Sequence, residues 1–315
     1  MAVQGSDTMD TMQPVHDIVL TLPPLPSQHR GLKSGYRTCP SFSSAALSLF
    51  YWHNESVNMW SHYLCSVGLI AYAVYTWCDS ERNAALAEAT ALPALQSIPL
   101  LLATTLLANV FPILASAFCH QFYLINPSWH QFCWFLDFLG ILTGMMSVGV
   151  GFVYLSFYCH PTAMHALLYG MLVCYILAIQ ITWRRFKRRT SKRDLVPADR
   201  FPEFSQVLSS FGWIATLIPV ASVVAFLPEY QTDPFSLLLL QKVCAPVVMG
   251  LGIVCFAQGN FPERFAARWG LPESFFDIVG HSHQWWHLVS GALQFWWVYL
   301  LRAHFEARMA HACLA

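Results

Sequence analysis

The chain has 315 residues, of which 56% are hydrophobic and 11% charged, with 17 basic and 17 acidic side chains and a mean hydropathy of +0.46. A soluble domain carries about a quarter charged residues, so a surface this poor in charge is excluded from water over most of its area and must face lipid. A formal net charge of zero, with no charged block outside one loop, argues against a nucleic-acid partner.

The 10 cysteines form no CxxC pair and mostly lie inside apolar runs, where they read as small buried hydrophobes. Cys78 and Cys159 fall at run ends on the same predicted side, a placement compatible with a disulfide that nothing else in the sequence supports. No N-terminal signal peptide is visible, and Ala2 excludes N-myristoylation, which needs glycine there.

Residues 1–42 are Pro-rich and mixed in composition and read as a flexible tail. Residues 43–56 form a juxtamembrane segment, in which Ser43 to His53 are amphipathic and predict a helix lying on the membrane surface. Seven apolar spans follow, at 57–78, 98–122, 132–156, 162–183, 207–228, 238–258 and 280–301, each near the ~20 residues that a bilayer core requires. Trp60, Trp77, Trp134, Trp183 and Trp286 cluster at span ends, as in an interfacial belt. Residues 302–315 read as a short tail. The fold class is therefore an all-α integral membrane protein, a seven-helix transmembrane bundle over 57–301.

Lysine and arginine orient it. The loop after the fourth span holds eight of the 17 basic residues, among them Arg184, Arg185, Lys187, Arg188 and Arg189. Placing that loop in the cytosol puts thirteen basic residues inside and four outside, with the N-terminus cytosolic and the C-terminus outside.

The stretch Gly280 to His287 opens the last span and places His283 and His287 at i and i+4, on one helical face. Two imidazoles so spaced grip one metal ion. His120, closing the second span, is the candidate third ligand, and Asp137 is a carboxylate inside the third span. The derived topology brings all four groups to the inner edge of the membrane. Three histidines leave a fourth tetrahedral position for water, the pattern of a catalytic zinc site. Asp137 is placed to hold that water or to orient a histidine, and Ser116, four residues before His120, shares its face. The competing reading is a purely structural Zn2+. Interfacial histidines that only meet headgroups are a third. His281 points off the metal face, and His53, His62 and His130 read as ordinary polar residues. Asn54-Glu55-Ser56 is a glycosylation sequon on the cytosolic side and should stay bare.

Several motifs together resemble one family. They are Gly35-Tyr36-Arg37, His53 to His62, Ser116 to His120, Leu136 to Ile141, Pro262-Glu263-Arg264-Phe265, Phe276-Asp277-Ile278 and Gly280 to His287, in order across residues 35–300. The chain resembles the progestin and adipoQ receptor family, related to haemolysin III-type proteins. The resemblance implies a seven-helix fold with a cytosolic N-terminus, and zinc on His120, His283 and His287 with Ser116 and Asp137 beside the zinc-bound water. It implies receptors for adiponectin-like hormones or progestins, members linked to ceramide hydrolysis, and Golgi or regulatory scaffolds. Residues 266–274 are extra relative to the family pattern, and the chain ends soon after the last span. Both features lean away from the progestin branch and towards the adiponectin-receptor-like or scaffold branches.

The expectation is thus a zinc-containing seven-helix receptor-like signalling protein that hydrolyses ceramide-type amides. Its partners would be membrane lipids (ceramide or fatty acid) and an extracellular hormone-like ligand. Its location would be the plasma membrane or the Golgi or ER membrane. The alternative is a non-catalytic membrane scaffold with a structural zinc.

Overall fold

The computed structural model describes residues 32–78, 98–190, 220–225 and 259–310, with isolated positions between 218 and 257. Among the described residues every regular element is helical. The long helices are α2 (Ser56–Cys78), α3 (Ile98–Phe122), α4 (Pro127–Ser156), α5 (Pro161–Thr190) and α6 (Ser282–Ala310), preceded by the short α1 (Phe42–Leu47). With a rise of about 1.5 Å per residue, each long helix exceeds the ~30 Å hydrocarbon core of a bilayer.

These helices are inside-out relative to those of a soluble protein. On α2, Asn58, His62 and Ser66 are buried, while Leu64, Val67 and Val74 are exposed. The buried set recurs at i, i+4 and i+8, so one polar stripe faces the bundle and an apolar face meets lipid. On α5, Tyr169, Leu172, Val173 and Ile176 are likewise exposed. Asn126 caps α4 by accepting the Trp129 N–H, with Pro127 in the first turn, where a missing N–H costs nothing.

Helices α2, α3 and α4 pack side by side; α5 lies against α4, and α6 closes against α2, α3 and α4. The largest apolar core joins Leu142, Phe152 and Leu155 of α4 to Trp297, Leu301 and Phe305 of α6. Arg308, near the end of α6, donates to the Leu155 and Ser156 carbonyls at 3.0 and 3.2 Å, and so caps the C-terminus of α4.

The spans expected at 57–78, 98–122, 132–156 and 162–183 fall within α2 to α5. Those at 207–228 and 238–258 lie largely outside the described residues, which are helical at 220–225 and 255–257. The last span continues as helix through residues 302–310, which the sequence reading assigned to a tail. Its extension carries the Arg308 cap, so packing against α4 holds it in place. Cys159 is disulfide-bonded, with a partner outside the described side chains.

The helix expected over Ser43 to His53 is shorter. α1 ends at Leu47 and a 3₁₀ turn covers Ser48–Phe50. The chain must turn there because the Asn54 N–H pairs with the Gly35 carbonyl at 2.8 Å. Ala45 is fully buried, whereas Leu47, Phe50 and Trp52 are 62%, 77% and 67% exposed. That face is suited to the membrane boundary.

Residues 32–41 run as a strap beneath this end of the bundle. The Asp277 carboxylate accepts the Lys33 N–H at 3.0 Å, the Ser34 N–H at 2.6 Å and the Ser34 hydroxyl at 2.7 Å. Gly35 has φ +76, and a Cβ there would lie 2.9 Å from Ile278, so the turn needs glycine. Arg37 is buried and donates to the His120 carbonyl, and to the Gln121 carbonyl at 3.0 Å. It thereby satisfies orphan carbonyls at the end of α3.

Candidate metal centre

The N-terminus of α6 is fixed before its histidines emerge. The buried Glu263 carboxylate accepts the Ser282 N–H at 2.9 Å and the Ser282 hydroxyl at 2.5 Å. A carboxylate at a helix N-terminus also complements the helix dipole. Gln284 donates to the Ile278 carbonyl at 2.7 Å and accepts the Gly280 N–H at 2.6 Å, which closes the turn into the helix. The next face of α6 carries His283 and His287, with ring centroids 4.8 Å apart.

His120 meets them from the end of α3. His283 Nε2 lies 3.4 Å from His120 Nε2 and 3.1 Å from His287 Nε2. One ligand nitrogen from each of the three residues lies within 4.8 Å of the others. Zinc bound at about 2.0–2.1 Å in a tetrahedron separates its nitrogen ligands by about 3.3–3.4 Å, so the donor set fits this ion. With the proton of each ring on Nδ1, the three Nε2 lone pairs would face one another, a conflict that a divalent cation among them removes. His120 and His287 are buried and His283 is partly exposed, so the site is approached from the His283 side.

Asp137 and Ser116 sit beside this group. Both are buried. Asp137 is close enough to both His120 and Ser116 for each to interact with its carboxylate. The five side chains singled out in the sequence are thus gathered on α3, α4 and α6. His281 points elsewhere, as its spacing required: its Nε2–H donates to the Asn54 carbonyl at 2.9 Å.

Three histidines read as ordinary polar residues are not. His53, His62 and His130 are 2%, 4% and 1% exposed. His53 Nδ1 accepts the Glu55 N–H at 3.0 Å and its Nε2–H donates to the Ser48 carbonyl at 3.1 Å. Burial, and then the charge of Arg37, lower its pKa to about 4. His62 lies on α2 against His287, with Nε2 2.9 Å from His287 Nδ1. Glu55 belongs to the sequon and to the His53–His62 motif, neither of which assigns its side chain a role. It is buried, accepts from His120 Nδ1–H at 2.8 Å, from the Tyr123 hydroxyl at 3.0 Å and from the Asn58 amide at 2.5 Å. Asn54 is itself buried beneath α6, which leaves no room for a glycan. The signal that finds Glu55 and His62 is the helical phase of Glu55, Asn58, His62 and Ser66, four polar residues on one face of an apolar span.

The family model described as haemolysin-III related matches residues 50–297. Human membrane progestin receptor delta is 31% identical over 279 residues, covering 82% of this chain and 70% of the relative. Heptahelical transmembrane protein 1 of Arabidopsis thaliana is 24% identical over 255 residues, covering 80% and 70%. The ADIPOR-like receptor IZH1 of Eremothecium gossypii is 24% identical over 280 residues, covering 85% and 78%. Relatives named for progestin and for adiponectin-type receptors stand side by side, so similarity does not favour the branch towards which the sequence leaned. The matched region contains every residue of the histidine cluster, the Ser116–Asp137 pair and Glu55 and His62, and the chain belongs to the haemolysin-III related family of integral, multi-pass membrane proteins, the progestin and adipoQ receptor group.

Proposed function

We propose that this chain is a zinc-holding, seven-span receptor-like protein with a cytosolic N-terminus and an outside C-terminus, and that its centre hydrolyses the amide of a ceramide-type lipid. The observation that carries the reading is the convergence of His120, His283 and His287 beside the buried Ser116–Asp137 pair. Seven spans are supported by the thirteen-to-four distribution of basic residues and by relatives whose names call them heptahelical. The Cys159 disulfide supports the orientation, since it follows the C-terminal end of α4, away from Asp137, on the side an oxidising compartment would face. Relatives named as receptors support the signalling role.

In this reading His120, His283 and His287 hold the ion. Bound zinc supplies Lewis acidity and lowers the pKa of water towards ~7. Asp137 accepts the proton as water attacks the amide carbonyl, and returns it to the leaving amine nitrogen. Ser116 orients the carboxylate by a hydrogen bond. The partly exposed His283 side is where a membrane lipid enters, and a hormone-like ligand would bind the outer face. A structural zinc in a non-catalytic scaffold is the second reading. What favours it is that the buried histidines are backed by polar partners on and just before α2, so the cluster ties α2, α3 and α6 together.

The test is ceramide-to-sphingosine conversion by purified protein. Asp137→Asn should keep the zinc and lose about 10²–10⁴-fold in rate, the usual share of a general base. His283→Ala is the metal-poor control. Equal rates in the wild type and both variants would remove the hydrolase reading and leave the scaffold.

A further inference from the structure

We propose that Glu55 and His62, neither of which reaches the metal position, are the positioning residues of the centre: Glu55 holds His120 and His62 holds His287, each with Nε2 turned inward. The proposal rests on the zinc reading above and assigns α2 and the residue that leads into it, neither of which supplies a ligand, the task of orienting two of the three ligands.

An ionised carboxylate only accepts hydrogen bonds. The 2.8 Å contact between Glu55 and His120 Nδ1 therefore requires a proton on Nδ1, which leaves the lone pair of a neutral ring on Nε2, 3.4 Å from His283 Nε2. The carboxylate cannot swing away, because the Tyr123 hydroxyl and the Asn58 amide hold it as well. Tyr123 follows α3 and Asn58 lies on α2, so Glu55 is fixed from two sides of the site.

The same logic applies at His287. When Nε2 serves as a ligand, Nδ1 must carry the proton and needs an acceptor, and His62 Nε2 is 2.9 Å away. His62 Nδ1 is also near, at 3.3 Å. A neutral imidazole carries a proton on one ring nitrogen and leaves the other to accept, so His62 offers His287 an acceptor in either tautomer. Glu55 immediately precedes α2 and its carbonyl accepts the Met59 N–H at 3.0 Å, so it lies in helical phase with His62, seven residues or two turns on, the spacing that lets this end of the chain serve both ligands. Groups that fix the tautomer and ring angle of metal-bound histidines change metal affinity without touching the ion.

The experiment uses the full-length protein in micelles. Zinc affinity is measured by competition with a chelator of known strength, in the wild type, Glu55→Gln, His62→Leu and His62→Gln. Thermal melting in excess chelator gives the stability of the metal-free state, and cobalt-loaded samples report ligand geometry through their visible absorption bands. His62→Leu, which removes the acceptor, should bind zinc about 10–100-fold more weakly, and Glu55→Gln, which keeps an acceptor oxygen but loses the charge, should bind it several-fold more weakly; both should alter the cobalt spectrum. His62→Gln, whose amide oxygen can accept from His287 Nδ1–H, should recover most of the loss. Wild-type protein that takes up no zinc overturns the metal reading, and this proposal with it. Zinc bound equally tightly by wild type and both variants overturns the positioning role and leaves the metal reading standing. So does a lower melting temperature in chelator with unchanged affinity, which marks a merely structural contact. Should Glu55→Gln fail to fold, Tyr123→Phe removes one hydroxyl from the same carboxylate. It should weaken zinc binding several-fold, and no change there refutes the role of Glu55.

Discussion

Replacing Gly140 by alanine tests how α3 and α4 are held together, and through them the Ser116–Asp137 pair. A Cβ at Gly140 would lie 2.9 Å from the Cα of Pro112 and 3.2 Å from the Cβ of Ala115. Carbon atoms in contact sit at about 3.5–4.0 Å, and the first of these neighbours is backbone that cannot rotate aside. The helices must therefore separate by roughly 0.6–1 Å, and overpacking of this kind costs about 1–3 kcal/mol. Alanine also favours the helix over glycine by about 1 kcal/mol, a gain that must be subtracted. Gly170→Ala on α5 supplies that reference, because a Cβ there meets nothing within 4 Å. Equilibrium unfolding in mixed micelles of rising SDS fraction, followed by tryptophan fluorescence, should place Gly140→Ala about 1–3 kcal/mol below Gly170→Ala. Gly140→Ala as stable as Gly170→Ala would refute the close approach of α3 and α4. Gly144 repeats the arrangement one turn on, with a Cβ 2.9 Å from Pro112 Cγ, so the two glycines form the small-residue face that helices in lipid use to pack.

Three further outcomes are expected. Asp277→Asn removes the charge that gathers two backbone N–H groups and the Ser34 hydroxyl, and hydrogen bonds to a charged group are worth about 1.5–3 kcal/mol each. Trypsin should then cut at Lys33 and Arg37 faster than in the wild type, and unchanged cleavage would show that the strap is held otherwise. His53 keeps its neutral form down to about 4, against an ordinary value of 6.5. The unfolded chain takes up this proton first, so the contribution is complete above pH ~6.5 and is lost as pH falls towards 4, about 3 kcal/mol in all. His53→Gln should flatten the stability profile across that window, and an unaltered slope would assign it to other groups. For topology, a tag on Met1 should face the cytosol and one after Ala315 the opposite side; both tags on one side would exclude an odd number of spans.

How much of the site could be read beforehand depends on how local each cue is. His283 and His287 announce themselves because helical phase is set within five residues. His120 closes an apolar run, and Asp137 is a charge where lipid forbids one. The split of α1 and the strap were not readable, because Asn54–Gly35 and Ser34–Asp277 are pairings across loops with no periodic cue. The Gly140–Pro112 contact likewise joins two helices whose register the sequence does not state.

Glu55 and His62 are a different matter, because their spacing carries a local cue whose meaning depends on the solvent. In a soluble helix polar residues mark the solvent face, so Glu55 at the edge of an apolar run and His62 just inside it look like surface. In a membrane span the apolar face meets lipid, and a polar side chain must find its partner within the bundle. Under that rule Asn58, His62 and Ser66, with Glu55 in phase just before the helix, define the inward face of α2 from spacing alone, and all four are buried. Phase places these side chains inside the bundle but cannot name what they meet. His120 and His287 come from α3 and α6, and only the packing of those helices on α2 brings the carboxylate to one ring and the imidazole to the other. The side chains that meet the histidine cluster thus come from an element outside it, and metal-ligand spacings alone do not mark them.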